Sequence, residues 1–89
     1  MALTRIDTMP AFRRAYRKKT DEMRQVIDKT ILQLRTDHRH PGLNAHKMWG
    51  HPGVWEAYMD RANRLTFHWE GDTIVLRNHC NHDILKRSP

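Results

Sequence analysis

The hydrophobic pattern of the chain changes period at His40-Pro41-Gly42, and that change confines it to a mixed fold. Before it, Phe12, Ala15 and Tyr16 recur at helical spacing over residues 10–19, and Met23, Val26, Ile27, Ile31 and Leu34 follow a 3.6-residue period. After it, Leu65, Phe67 and Trp69 alternate with Arg64, Thr66 and His68, the pattern of a strand with one buried face. Helices come first and strands second, an order that predicts segregated layers.

Local signals set the elements. Pro10 suits a first helical turn, where its missing N–H would be unpaired in any case. Thr20 is a good N-cap, and Asp21 and Glu22 complement the positive end of the helix it starts. Pro41-Gly42 stops that helix and opens a loop. Glu70-Gly71-Asp72 is a short turn, so Thr73–Arg77 pairs back on residues 64–69 as a hairpin. Trp55, Ala57 and Met59 alternate with Glu56, Tyr58 and Asp60, and a turn at Ala62-Asn63 makes this strand a neighbour. Leu43–Met48 is a weaker strand candidate, and Leu3–Asp7 a short one. The expectation is an α+β fold, with an N-terminal helical hairpin packed on a three- to four-stranded antiparallel sheet.

Length permits one domain over residues 1–89 and no more. A chain this short buries only about 60–65% of the surface it exposes unfolded, which argues against a large enclosed cofactor. No apolar run approaches the roughly 18–20 residues of a membrane span, and Met1–Asp7 lacks the apolar stretch of a secretory signal. The single cysteine, Cys80, excludes an internal disulfide framework and suits a reducing cytoplasm. The expected localisation is cytoplasmic, with no membrane partner.

Helices facing one side of the sheet through Phe12, Ile27, Ile31, Leu65, Phe67 and Trp69 leave the other side for polar groups or a ligand. By alternation that second face carries Tyr58, Arg64, Thr66, His68, Arg77 and His79. The net charge is +6, and most of the surplus lies in residues 1–19, where Arg5, Arg13, Arg14, Arg17, Lys18 and Lys19 outweigh Asp7 alone. Such a patch draws a phosphate backbone by counterion release, or an acidic protein segment equally well.

The order of elements and several short stretches together resemble the RelE/ParE superfamily of bacterial toxin–antitoxin systems. The stretches are residues 40–43 (His-Pro-Gly-Leu), 46–50 (His-Lys-Met-Trp-Gly), 53–57 (Gly-Val-Trp-Glu-Ala), 63–67 (Asn-Arg-Leu-Thr-Phe) and 81–85 (Asn-His-Asp-Ile-Leu). The resemblance implies a toxin neutralised by a cognate antitoxin, which links it to operator DNA. RelE-like members cut messenger RNA on the ribosome without a metal, and ParE-like members poison DNA gyrase. The first expectation is therefore a metal-free, ribosome-dependent mRNA endoribonuclease, an mRNA interferase that inhibits translation. The alternatives are a gyrase inhibitor and an inactive relative kept as antitoxin partner and co-repressor.

Metal-free RNA cleavage needs a base for the 2′-hydroxyl, an acid for the leaving 5′-oxygen and a cation for the phosphorane. Arg64 matches the family's arginine, and its planar fork can grip two phosphate oxygens. His82 matches a C-terminal histidine used as acid or base, and His46 and Lys47 match a region that supplies the complementary group. Adjacent strand residues face opposite ways, so only one of His46 and Lys47 can join the site. The RNA-binding candidates are Arg13, Arg14, Arg17, Lys18, Lys19, Tyr58, Arg61, Arg77 and His79. Tyr58 stands where RelE-like cleavers carry a basic residue, and Asp83 follows His82 where several have tyrosine.

Two further groupings are present. His79-Cys80-Asn81-His82 gathers two imidazoles and a thiol, but structural zinc spacings require a second ligand pair, so no metal or other cofactor is expected. Among the tryptophans, Trp55 and Trp69 fall on the inward parity, whereas Trp49 beside Gly50 is a possible base platform.

Overall fold

The computed structural model describes residues 3–81 and Pro89, with Cys80 and Asn81 as backbone only. The elements run β1 (Arg5–Thr8), α1 (Pro10–Arg17), α2 (Asp21–Asp37), a 3-10 turn (Pro41–Leu43), β2 (His46–Lys47), β3 (Trp55–Tyr58), β4 (Asn63–Glu70) and β5 (Thr73–Asn81). The sheet order is β1-β5-β4-β3-β2. The two optional strands of the sequence both form, so the sheet has five strands. β1 lies parallel to β5, and the remaining pairs are antiparallel. The parallel edge follows from the helical hairpin, which carries the chain across one face of the sheet before the strands return.

Helix boundaries follow the local chemistry. Pro10 opens α1, and the Thr20 hydroxyl accepts from the Met23 N–H (3.2 Å), satisfying one unpaired donor at the start of α2. Phe12 from α1 and Ile27 and Leu34 from α2 meet Ala57, Leu65, Phe67, Ile74 and Leu76 from the sheet in one buried cluster. Leu43 of the 3-10 turn closes it, and Trp55 stacks on Phe67 with ring centroids 6.1 Å apart. No described helix is long and apolar enough to cross a membrane.

One irregularity redistributes side chains. Thr66 pairs with Asn78 and Phe67 with Leu76, which leaves Arg77 as an extra residue in β5. This β-bulge resets the alternation. Ile74 and Leu76 face the helices, Arg77 turns outward to His68, and His79, paired with Leu65, turns inward again. His79 is therefore not on the open face that strict alternation assigns it. It is 1% exposed and meets Phe12 edge-on.

The outer face is also less open than a two-layer reading implies. Glu56, Thr66 and Val75 are buried there, as are Met48 and Val54 at the two ends of the β2–β3 loop. That loop lies against the face, where Gly50, His51, Pro52 and Val54 line one cleft with Arg77 and Asn78.

Candidate functional site

Strand register gathers the candidate chemistry. His46 is opposite Glu56, Glu56 opposite Thr66 and Thr66 opposite Asn78, so these four form one row across the outer face. Tyr58 and Arg64 are opposite each other on the same face. Lys47 pairs with Trp55 and thus belongs to the helix side, where its Nζ lies 5.8 Å from the Trp55 ring centroid. His46, not Lys47, shares a face with Arg64.

Arg64 is held by the turn that precedes it. The Asp60 carboxylate accepts from the N–H groups of Ala62 (3.0 Å) and Asn63 (2.8 Å) and from the Asn63 amide, which folds residues 60–63 into a tight reversal. Arg64 Nη1 then donates to the Asp60 carbonyl (2.7 Å) and the Asn63 carbonyl (3.0 Å). Its Nε lies 3.6 Å from Glu56 Oε1, and its guanidinium carbon sits 4.6 Å from the Tyr58 ring centroid. The Arg64 side chain is 20% exposed and that of Glu56 only 4%. The result is a cation fixed on three sides with one edge toward solvent.

His46 is exposed, and its Nδ1 lies 2.6 Å from the Asn44 carbonyl oxygen. A carbonyl only accepts, so Nδ1 carries the proton and Nε2 is left to exchange one. Asn44 reaches this position in the left-handed region (φ 44°), which asparagine tolerates. His46, Lys47, Trp49, His51 and Glu56 line a single open cleft. The cleft thus combines an orientable imidazole, a buried carboxylate and, behind that carboxylate, an arginine.

The other candidates are dispersed. Arg77 Nη1 donates to His68 Nδ1 (2.9 Å), and His68 Nε2 donates to Glu70 Oε1 (3.2 Å), so this trio satisfies itself. Arg61 is exposed beside the Arg64 turn. On α1, Arg13 donates to the Thr8 carbonyl (2.8 Å) and hydroxyl (2.7 Å) and Arg14 and Arg17 are exposed, while just past the helix Lys18 is exposed and Lys19 half-buried. Burial pulls the His79 imidazole down to about 4, with the charge of Lys19 acting in the same direction. His82 lies outside the described residues. Among the described residues, no three histidine, cysteine, aspartate or glutamate side chains cluster as a metal site would require.

Glu56 has no place in the sequence-based site. Its signal was present: an acid at outward parity in a strand, with apolar residues on both sides of it. Parity alone gives it to solvent, and only pairing with Thr66 and the cover of the neighbouring loop reveal it as buried.

No protein-family model matches the sequence, and no curated protein matches it. Solved structures do resemble the fold. A copper-bound mutant toxin from Helicobacter pylori superposes with a TM-score of 0.73 at 19% identity, covering 92% of this chain and 98% of that one. The toxin of the RelB-RelE antitoxin-toxin complex from Methanococcus jannaschii gives 0.71 at 16% identity, covering 93% and 99%. A YoeB/ParE toxin from Agrobacterium tumefaciens gives 0.72 at 12% identity, covering 88% and 98%. The chain has the fold of RelE/ParE-type toxins over most of its length.

Proposed function

We propose that this protein is the toxin of a toxin–antitoxin pair and that it cleaves messenger RNA on the ribosome. The observation that carries the reading is the shared outer face of His46, Glu56 and Arg64, with His46 directly opposite Glu56 and Glu56 ion-paired to Arg64. In the proposed reaction, His46 Nε2 takes the proton of a ribose 2′-hydroxyl. The freed oxygen bonds to the adjacent phosphorus, the bond from phosphorus to the 5′-oxygen breaks, and that oxygen takes a proton from His82. The products are a 2′,3′-cyclic phosphate and a 5′-hydroxyl. Arg64 stabilises charge on the phosphorane through its solvent-facing edge, and Glu56 positions Arg64. Each proton-transfer role is typically worth about 10²–10⁴-fold in rate.

The partners of this reading are mRNA, the ribosome and a cognate antitoxin, with operator DNA reached through the antitoxin. The fold neighbour from Methanococcus jannaschii is a toxin in complex with its antitoxin, which supports the antitoxin assignment. Induced expression followed by primer extension on a reporter transcript tests the activity. Ribosome-dependent cuts that disappear in His46→Ala and Arg64→Ala are expected. Arrest without cuts, accompanied by loss of plasmid supercoiling, replaces this reading with gyrase inhibition.

One observation favours a second reading, a non-cleaving partner of the antitoxin: the Arg64 guanidinium already donates to two turn carbonyls and is ion-paired to Glu56. Under that reading expression does not slow growth, yet the protein still joins its antitoxin on operator DNA.

A further inference from the structure

Trp49 is 97% exposed, far more than any other large apolar side chain described. Its backbone is nonetheless tied down. The Met48 N–H donates to the Val54 carbonyl (2.8 Å), the Val54 N–H to the His51 carbonyl (3.1 Å) and the His51 N–H to the Met48 carbonyl (3.4 Å). Met48 and Val54 are buried at the two ends of this loop, and Gly50, at φ +82°, lets the chain reverse immediately after the tryptophan. A fixed loop therefore holds an indole out in water, at the rim of the cleft lined by His46, Lys47, His51 and Glu56.

An exposed aromatic face calls for a partner, and its neighbours indicate which kind. Protein anchors of this type sit within an apolar patch that excludes water around them. Around Trp49 the cleft instead offers the imidazoles of His46 and His51, with Arg64 behind Glu56, and the indole is the only exposed large apolar side chain described there. Aromatic faces interleaved with cations are how proteins grip single-stranded nucleic acid, because every base has a π-face and every linkage a negative charge.

We propose that Trp49 is the stacking platform for an unpaired nucleobase beside the linkage held at His46 and Arg64, and so sets the nucleotide preference of cutting. The inference rests on the ribonuclease reading above. The full chain, as wild type, Trp49→Phe and Trp49→Ala, is added to a purified translation system programmed with a reporter mRNA, and cuts are mapped by primer extension. Stacking on an aromatic residue is worth about 1–3 kcal/mol per base, so Trp49→Ala is expected to cut about 5- to 150-fold more slowly at limiting protein. Its preference among bases flanking the cut flattens, Trp49→Phe retains most of both, and the melting temperatures of all three agree.

Trp49→Ala cutting the same linkages at the wild-type rate overturns the proposal and leaves the ribonuclease reading standing. Wild-type rates and preference combined with lost binding to the co-expressed antitoxin overturn it in favour of a protein anchor. Failure of the wild type itself to cut defeats the ribonuclease reading and this inference with it.

Discussion

His79 stands opposite Leu65 in the β4–β5 pairing and meets Phe12 edge-on, ring centroids 4.5 Å apart, so an imidazole occupies the core beneath α1. Neither of its ring nitrogens has a hydrogen-bond partner among the described residues. Burial disfavours the charged form and holds its pKa at about 4, against about 6.5 in the unfolded chain. Between those values the unfolded state binds more protons than the folded one, so stability falls as pH drops from about 6.5 through 4. The expected loss is about 3 kcal/mol by pH 4, at about 1.4 kcal/mol per pK unit. Urea melts at pH 7, 5.5 and 4 measure it. His79→Leu should be at least as stable as wild type at pH 7, since an unsatisfied buried polar group is removed, and should lack this part of the acid slope. Parallel slopes for the two proteins would place the imidazole in water.

The Arg64–Glu56 pair yields a second expectation. At 3.6 Å and largely out of water, the two charges are coupled, and each holds the other in place. A double-mutant cycle with Arg64→Ala and Glu56→Ala should return a coupling energy of about 1–2 kcal/mol in denaturant melts. Arg64→Lys should also destabilise, because an ammonium cannot reach two turn carbonyls and a carboxylate at once. A coupling energy near zero would separate Glu56 from Arg64 and remove the positioning role proposed for it.

Much of this architecture was legible in the residues, and the exceptions share a cause. The 3.6-residue stripe of α2, the Thr20 cap and the alternation in β4 are local signals, and each element forms where they place it. Sheet pairing is not local. Nothing in Leu3–Asp7 says that it will lie parallel to β5, because that partner is 68 residues away, Arg5 pairing with Thr73. The choice between His46 and Lys47 needed the register of β2 on β3, which a two-residue strand cannot encode by itself. Strict alternation misplaces His79 because a single bulge residue, Arg77, inverts the parity of everything after it. The pattern of its own strand does not mark Glu56, because its burial comes from pairing and from a loop distant in pattern.

Two histidines on the outer face should show opposite tautomers. His46 donates through Nδ1 to the Asn44 carbonyl, whereas His68 accepts from Arg77 at Nδ1 and donates through Nε2 to Glu70. Nitrogen-15 shifts of the imidazole rings at pH 8 distinguish the two forms directly. The His46 assignment is the informative one, since it leaves Nε2 as the unprotonated nitrogen that the proposed reaction requires. An Nε2–H tautomer at His46 would make it unsuitable as the base, and Asn44→Gly should then leave RNA cutting untouched.

The basic surface of α1 divides into structural and free charges, and the division is testable. Arg13 is bonded to the Thr8 carbonyl and hydroxyl, so it ties α1 back to the end of β1. Arg14, Arg17 and Lys18 are exposed, and their side chains make no hydrogen bond or ion pair among the described residues. Phosphate contacts by such groups release counterions, and on single-stranded RNA each lowers the slope of log affinity against log salt by about 0.7. Association with ribosomes measured from 50 to 200 mM salt (about the range over which counterion release is read) should therefore lose about 1.4 from its slope in the double variant Arg14→Gln, Lys18→Gln. Arg13→Ala should instead lower stability by about 1 kcal/mol while leaving the salt slope near that of wild type. An unchanged slope in the double variant would move the ribosomal contact elsewhere on the molecule and leave this helix face to the antitoxin.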